Sequence, residues 1–173
     1  MFPIPIVNRT KTIVIDFDAI AYKHWAWVES MGWHNKTVLE SLALIASEIG
    51  EATAECYDVI NLTRFGEELA DIILRCVDLA CTEKVDLTLH VINAQLEWRG
   101  ITAPERMGEV FVEYAIWSNT ARKPQLGPDF GEGMGRLVAR VVYIADLYGI
   151  DLDKAVQLKL AKNQVNGTRG RPI

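Results

Sequence analysis

Four carboxylates, Glu48, Glu51, Glu55 and Asp58, stand at i, i+3, i+7 and i+10. On a helix that spacing lays all four along one face. Glu68, Asp71, Arg75 and Asp78 repeat it further on, beside an apolar stripe of Leu69, Ile72, Ile73, Cys76 and Val77. Like charges at these spacings destabilise a helix by roughly 0.2–0.5 kcal/mol per pair. A second acidic helix alongside adds repulsion that something must offset. A hard divalent cation does so: magnesium takes oxygen ligands, keeps several waters, and is held by one or two carboxylates plus substrate phosphates. The commoner fate of such acids is a solvated face, with Asp71 and Asp78 bracketing Arg75 in surface ion pairs. Against that fate stand the like spacing on adjacent helices and the placement of Asp71 within Leu69-Ala-Asp-Ile-Ile-Leu74.

Other metal chemistries find less support. A di-iron carboxylate bundle needs Glu-x-x-His on paired helices, and His24, His34 and His90 each lack a Glu three residues upstream. Zinc would need Cys/His spacing that this chain does not have. Hard-cation chemistry on phosphates is what remains.

The elements that must position these acids are helical. Asp16 or Asp18 caps a first helix through Glu29, stopped by Gly32. A capping box, Thr37-x-x-Glu40, opens a second that runs to Cys56. The third is expected from near Phe65 to about Thr82, and a fourth from Asp86 to Gly100. Thr102-Ala-Pro-Glu105 caps a fifth, which stops before Lys123-Pro124. The sixth is expected over Phe130–Tyr148 with Gly149 as its stop, and Asp151 caps a seventh to about Asn163. A short extended stretch at Thr12–Ile15 precedes them all, and Pro124–Asp129 is the clearest loop. Short links between long amphipathic helices imply an all-α antiparallel helix bundle.

A shift of 65 residues lays Phe65-Gly66-Glu67 on Phe130-Gly131-Glu132, Arg75 on Arg140, Asp86-Leu87 on Asp151-Leu152, and Glu48 on Glu113. The helix-loop-helix unit reads as a degenerate internal duplication. Amphipathic helices also resemble one another by composition alone. Glu68 falls on Gly133 and Asp71 on Arg136, so an acidic site belongs to the first half, about 18–100, and not to the second, about 101–163.

The chain of 173 residues is half hydrophobic and carries a net charge of -5. One core is therefore the expectation, with a single domain over 1–173 that ends in a basic tail, 164–173. The acidic balance argues against a nucleic-acid polymer as partner. Lys159, Lys162, Arg169 and Arg171 do gather near the end, where a few cations suffice for a small polyanion. No apolar run reaches the ~20 residues that cross a bilayer, and Met1-Phe-Pro-Ile-Pro-Ile6 lacks the charged-then-apolar pattern of a signal peptide. Cys56, Cys76 and Cys81, odd in number and set in apolar patterns, read as reduced thiols. A cytoplasmic protein is expected, without a membrane partner.

Glu-x-x-Glu followed by Glu-x-x-Asp is a pattern with a family attached. Ala-Ser-Glu48-Ile-Gly-Glu51-Ala, then Phe-Gly-Glu-Glu68-Leu-Ala-Asp71-Ile-Ile, resemble the MazG-like all-α nucleoside triphosphate pyrophosphatases, which include dimeric dUTPases and phosphoribosyl-ATP pyrophosphohydrolases. Gly-Ile-Asp-Leu-Asp-Lys-Ala-Val and Lys159-Leu-Ala-Lys162-Asn163 are similar to that family's C-terminal helix. Two departures stand out: Ser47 replaces the Glu that many members place directly before the first acid, and Val165-Asn-Gly-Thr spreads the basic tail.

The resemblance implies hydrolysis between the α- and β-phosphates of a nucleoside triphosphate, giving a monophosphate and pyrophosphate. It implies magnesium, for which manganese could substitute, on Glu48, Glu51, Glu68 and Asp71. Glu51 or Glu48 would take the attacking water's proton, and Lys159, Lys162 and Arg169 would hold phosphate. Trp33, His34 and Asn163 are the candidates for the base. Trp98 and Trp117 are less informative, and Tyr22 and Tyr143 read as packing. A homo-oligomer, favouring a dimer, is the expected assembly. A dUTPase-type enzyme shares the metal site, and a non-catalytic nucleotide-binding module would share the fold.

Overall fold

A computed structural model of the protein describes residues 15–35, 37–122 and 125–167. Seven helices are formed among them: α1 (Phe17–Met31), α2 (Val38–Cys56), α3 (Leu62–Glu83), α4 (Leu87–Ile92), α5 (Ala103–Thr120), α6 (Pro128–Leu147) and α7 (Leu152–Asn166). The described residues contain no strand, so the protein is all-α. None of these helices is long and apolar enough to cross a membrane.

Most ends follow local chemistry legible in the chain. Asp16 caps α1 through the Ala19 N–H, and Gly32 closes it at φ 65°, where a side chain would be strained. Both capping boxes form, Thr37 with Glu40 and Thr102 with Glu105. Asp86 and Asp151 cap α4 and α7. α3 starts at Leu62, earlier than expected, because the Asn61 side chain accepts from the Arg64 N–H. α6 starts at Pro128, whose missing N–H costs nothing in a first turn. α7 continues past Asn163 to Asn166, so the expected basic tail begins as helix. Of the expected extended stretch, Thr12 to Val14 lie outside the described residues and Ile15 has no regular structure; Lys123 and Pro124 also lie outside.

The fourth helix departs most from expectation: it ends at Ile92, not Gly100. Bonds to side chains of α5 and α6 hold the rest out of a helix. Glu109 Oε1 accepts the N–H groups of Arg99 and Gly100, Glu105 Oε2 accepts those of Ile101 and Thr102, and Arg140 donates to the Glu97 carbonyl. Trp98 stacks on Tyr143 at 4.9 Å, with the Arg140 guanidinium 4.7 Å from the Trp98 ring centre.

A single hydrophobic cluster takes side chains from all seven helices, including Ile45, Phe65, Ile73, Met107, Trp117 and Val141. α2 packs on α3 as a hairpin, and α5 on α6 likewise. α7 then lies against α3, and α4 against α6, so the last helix of each set crosses to the other hairpin. Polar contacts recur at the 65-residue offset: Arg75 Nε donates to Glu48 Oε1 at 3.1 Å, and Arg140 Nε to Glu113 Oε2 at 3.2 Å. α1 covers α3 with Phe17, Ile20, His24 and Val28 buried. Tyr22, expected to pack, is 81 % exposed, because two residues on from Ile20 is the opposite side of the helix.

Candidate metal centre

α2 and α3 bring their acids together only near the middle of the hairpin. Glu48 is buried because it sits on the stripe with Ile45, Ile49 and Ala52. Asp71 lies between Ala70 and Ile72, both buried. Glu48, Glu68 and Asp71 each present an oxygen within 4.8 Å of the others. Glu51 lies outside that closest group but lines the same cavity of about 230 Å³, and Ser47 Oγ donates to its Oε1 at 3.4 Å. Ser47 thus reaches the acid one turn further along the helix. Glu55 instead pairs with Arg64, and Asp58 lies beyond the end of α2. Asp78 is drawn off to His34 Nδ1 at 3.1 Å.

Cations from α3 and α7 face the acids. Arg75 turns across to Glu48 on the neighbouring helix rather than bridging Asp71 and Asp78. Lys159 Nζ meets Asp71 Oδ2 at 2.5 Å, and Lys162 meets Glu67 at 3.3 Å. Among the described residues, the cavity is lined by the carboxylates Glu48, Glu51, Glu68 and Asp71 and by the cations Arg75, Lys159 and Lys162, with Glu67 paired to Lys162. Burial raises the pKa of Glu48 and Glu68, with Asp71 adding to both; burial also raises Asp71 against the pull of Lys159. Burial works to lower Lys159, but its bond to Asp71 and the fields of Asp71, Glu68 and Glu67 hold it above the ordinary value.

The inner wall holds a group that the sequence did not single out for the site. His24 is 6 % exposed, and its Nδ1 is buried without a hydrogen-bond partner. Burial, then Arg75 and His34, push its pKa down to about 4, so the ring is neutral at pH 7. Only its place on the buried side of α1, in register with Ile20 and Val28, could have flagged it.

The remaining sequence candidates divide. Lys159, Lys162 and Asn163 line the cavity, together with Asn166. Trp33 and His34 do not: His34 lies between Glu29 and Asp78 with Trp25 5.1 Å away, and Trp33 stands edge-on to Trp27. Arg169 lies outside the described residues.

At the 65-residue offset the corresponding positions are closed. Arg136, in place of Asp71, holds Glu113 Oε1 at 2.8 Å, and Arg140 holds the other oxygen. Trp117, fully buried, fills the space over Gly133, where a Cβ would lie 2.7 Å from its ring.

Fold and site together define an all-helical protein with an acidic cluster between two helices and lysines opposite. The donor set suits a hard divalent cation: oxygen ligands from two helices and, among the described residues, an unpartnered polar atom, His24 Nδ1, on the wall. Comparison with known proteins finds no matching family model, no matching curated relative and no matching solved structure.

Proposed function

We propose that the protein is a magnesium-dependent nucleoside triphosphate pyrophosphohydrolase, built on a duplicated all-α bundle whose first half kept the site. The reading rests on one observation: three carboxylates within 4.8 Å share a cavity with Lys159, Lys162 and Asn163. An acidic cluster alone would be a burden on the fold; acids opposed by lysines across a cavity suit a metal–polyphosphate ligand.

Glu48, Glu68 and Asp71 would hold the metal, with Glu51 at the cavity wall beside them. Bound magnesium, or manganese, would neutralise phosphate charge and acidify water. Glu51, or Glu48, accepts the proton of the attacking water at a carboxylate oxygen. Lys159 and Lys162 stabilise charge on the departing pyrophosphate through Nζ, a role the resemblance also gives Arg169. Asn163 and Asn166 offer amides to the sugar or base, and neutral His24 offers a ring nitrogen at the inner wall. With Trp33 and His34 turned to Glu29, Asp78 and Trp27, base contacts fall to Asn163 rather than to them.

Two alternatives stay open to test. A dUTPase-type enzyme would use the same metal residues with a uracil-restricted pocket. A non-catalytic binding module is favoured by the ion pairs of Glu48 with Arg75 and of Asp71 with Lys159, which let the fold persist without metal. A dimer in the cytoplasm completes the proposal. Product analysis separates the readings: a triphosphate split into monophosphate and pyrophosphate supports the pyrophosphohydrolase, products of diphosphate and phosphate refute it, and ligand binding without turnover supports the module.

A further inference from the structure

The cations beside the acids are not equivalent, and the protein contains its own control. Arg75–Glu48 recurs at the 65-residue offset as Arg140–Glu113, in a half where the other acids are gone. That bond therefore serves the hairpin whether or not an acidic site is present. Lys159–Asp71 has no such counterpart: the offset positions are Ala94, which lies outside any helix, and Arg136. α4 packs on α6, as α7 packs on α3, without an ion pair of this kind, so helix packing does not require it.

We infer that Lys159 is an exchangeable counter-ion: it holds Asp71 in the metal-free protein, yields it to a divalent cation, and then turns its freed ammonium to phosphate. The inference rests on the metal-site reading above. Three observations carry it. Lys159 is bonded to one of the three acids whose oxygens converge within 4.8 Å. A dication bound about 2.1 Å from Asp71 Oδ2, the oxygen that Lys159 holds, would face the ammonium at contact distance, so both cannot keep that oxygen. The lysine side chain is largely buried yet lines the same cavity, and Lys162, already at the rim on Glu67, marks where a second cation would meet the phosphates. Metal and polyphosphate binding are then coupled through one side chain, and the coupling is reciprocal.

The test is manganese binding, followed by electron paramagnetic resonance or calorimetry on the full chain, with inorganic tripolyphosphate as the second ligand. Lys159→Met removes the competing charge, and about 5-fold or greater tightening of manganese without tripolyphosphate is expected. The enhancement of tripolyphosphate binding by manganese should shrink by about 10-fold in the same variant. Lys159→Arg, which keeps the charge, should bind manganese as the wild type does. Lys159→Gln and thermal unfolding in chelator check that the fold survives. Manganese affinity that is unchanged or weaker in both Lys159→Met and Lys159→Gln overturns the exchange while leaving the metal site standing. A wild type that binds no manganese overturns both.

Discussion

Replacing Glu68 by Gln should make the metal-free protein more stable, although it removes a proposed ligand. Glu48 has Arg75 and Asp71 has Lys159, whereas Glu68 has no ion pair among the described residues. Two unit charges 4.8 Å apart repel by about 3.5 kcal/mol at an effective dielectric constant of 20. The cations on Glu48 and Asp71 cancel most of that, and solvent reaches Glu68, so about 1 kcal/mol should remain. Gln keeps the shape and relieves the repulsion. For a chain of this size the melting temperature should rise by about 2–4 °C in chelator, read by circular dichroism. With magnesium at saturation the order should invert, because only the wild type gains binding free energy. A Glu68→Gln protein less stable than wild type in chelator would refute the electrostatic reasoning.

His24 should make the fold acid-sensitive. Its pKa falls from 6.5 to about 4 on folding, so the unfolded state binds the extra proton and stability drops as pH falls through that window, by about 3 kcal/mol in the limit. His24→Gln should flatten the stability profile between about pH 6.5 and 4 in denaturant titrations; an unchanged slope would contradict it. Metal affinity should weaken on acidification starting above the ordinary carboxylate range, because Glu48, Glu68 and Asp71 are all raised. Proton release on manganese binding, measured by calorimetry in two buffers, checks this. Gly50→Ala should stabilise by about 0.5–1 kcal/mol, since a Cβ there meets nothing within 4 Å. Gly135→Ala should destabilise by about 1–3 kcal/mol, since its Cβ would lie 2.5 Å from that of His90. Urea unfolding of the two variants reads both signs.

What the sequence disclosed follows from how local each signal is. Thr37, Thr102, Asp86 and Asp151 cap their helices as their spacing implied, because a cap is decided within four residues. The end of α4 was not legible: Glu109 and Arg140, from α5 and α6, claim the Arg99 and Gly100 N–H groups and the Glu97 carbonyl of the stretch that would have continued it. Within the acidic pattern, periodicity correctly put Glu48 and Asp71 near the apolar stripes, but it could not say which acids would meet. Asp78 goes to His34, and Glu55 to Arg64, through contacts that spacing does not encode. Helical register sets His24 on the buried side of α1 with Ile20 and Val28, but nothing in a sequence marks a buried nitrogen that lacks a partner. Trp33 and His34 lie near the acids in sequence and are turned from the cavity in space.

Pyrophosphate release from a panel of canonical and modified nucleoside triphosphates, with magnesium and with chelator, tests the central claim most directly. The account predicts release that requires the metal, falls to background in Glu68→Gln although that protein is folded, and is lost in Glu51→Ala. A single uracil nucleotide as the substrate would narrow the reading to the dUTPase type. Pyrophosphate release that persists in chelator, or that Glu68→Gln leaves intact, would contradict the account.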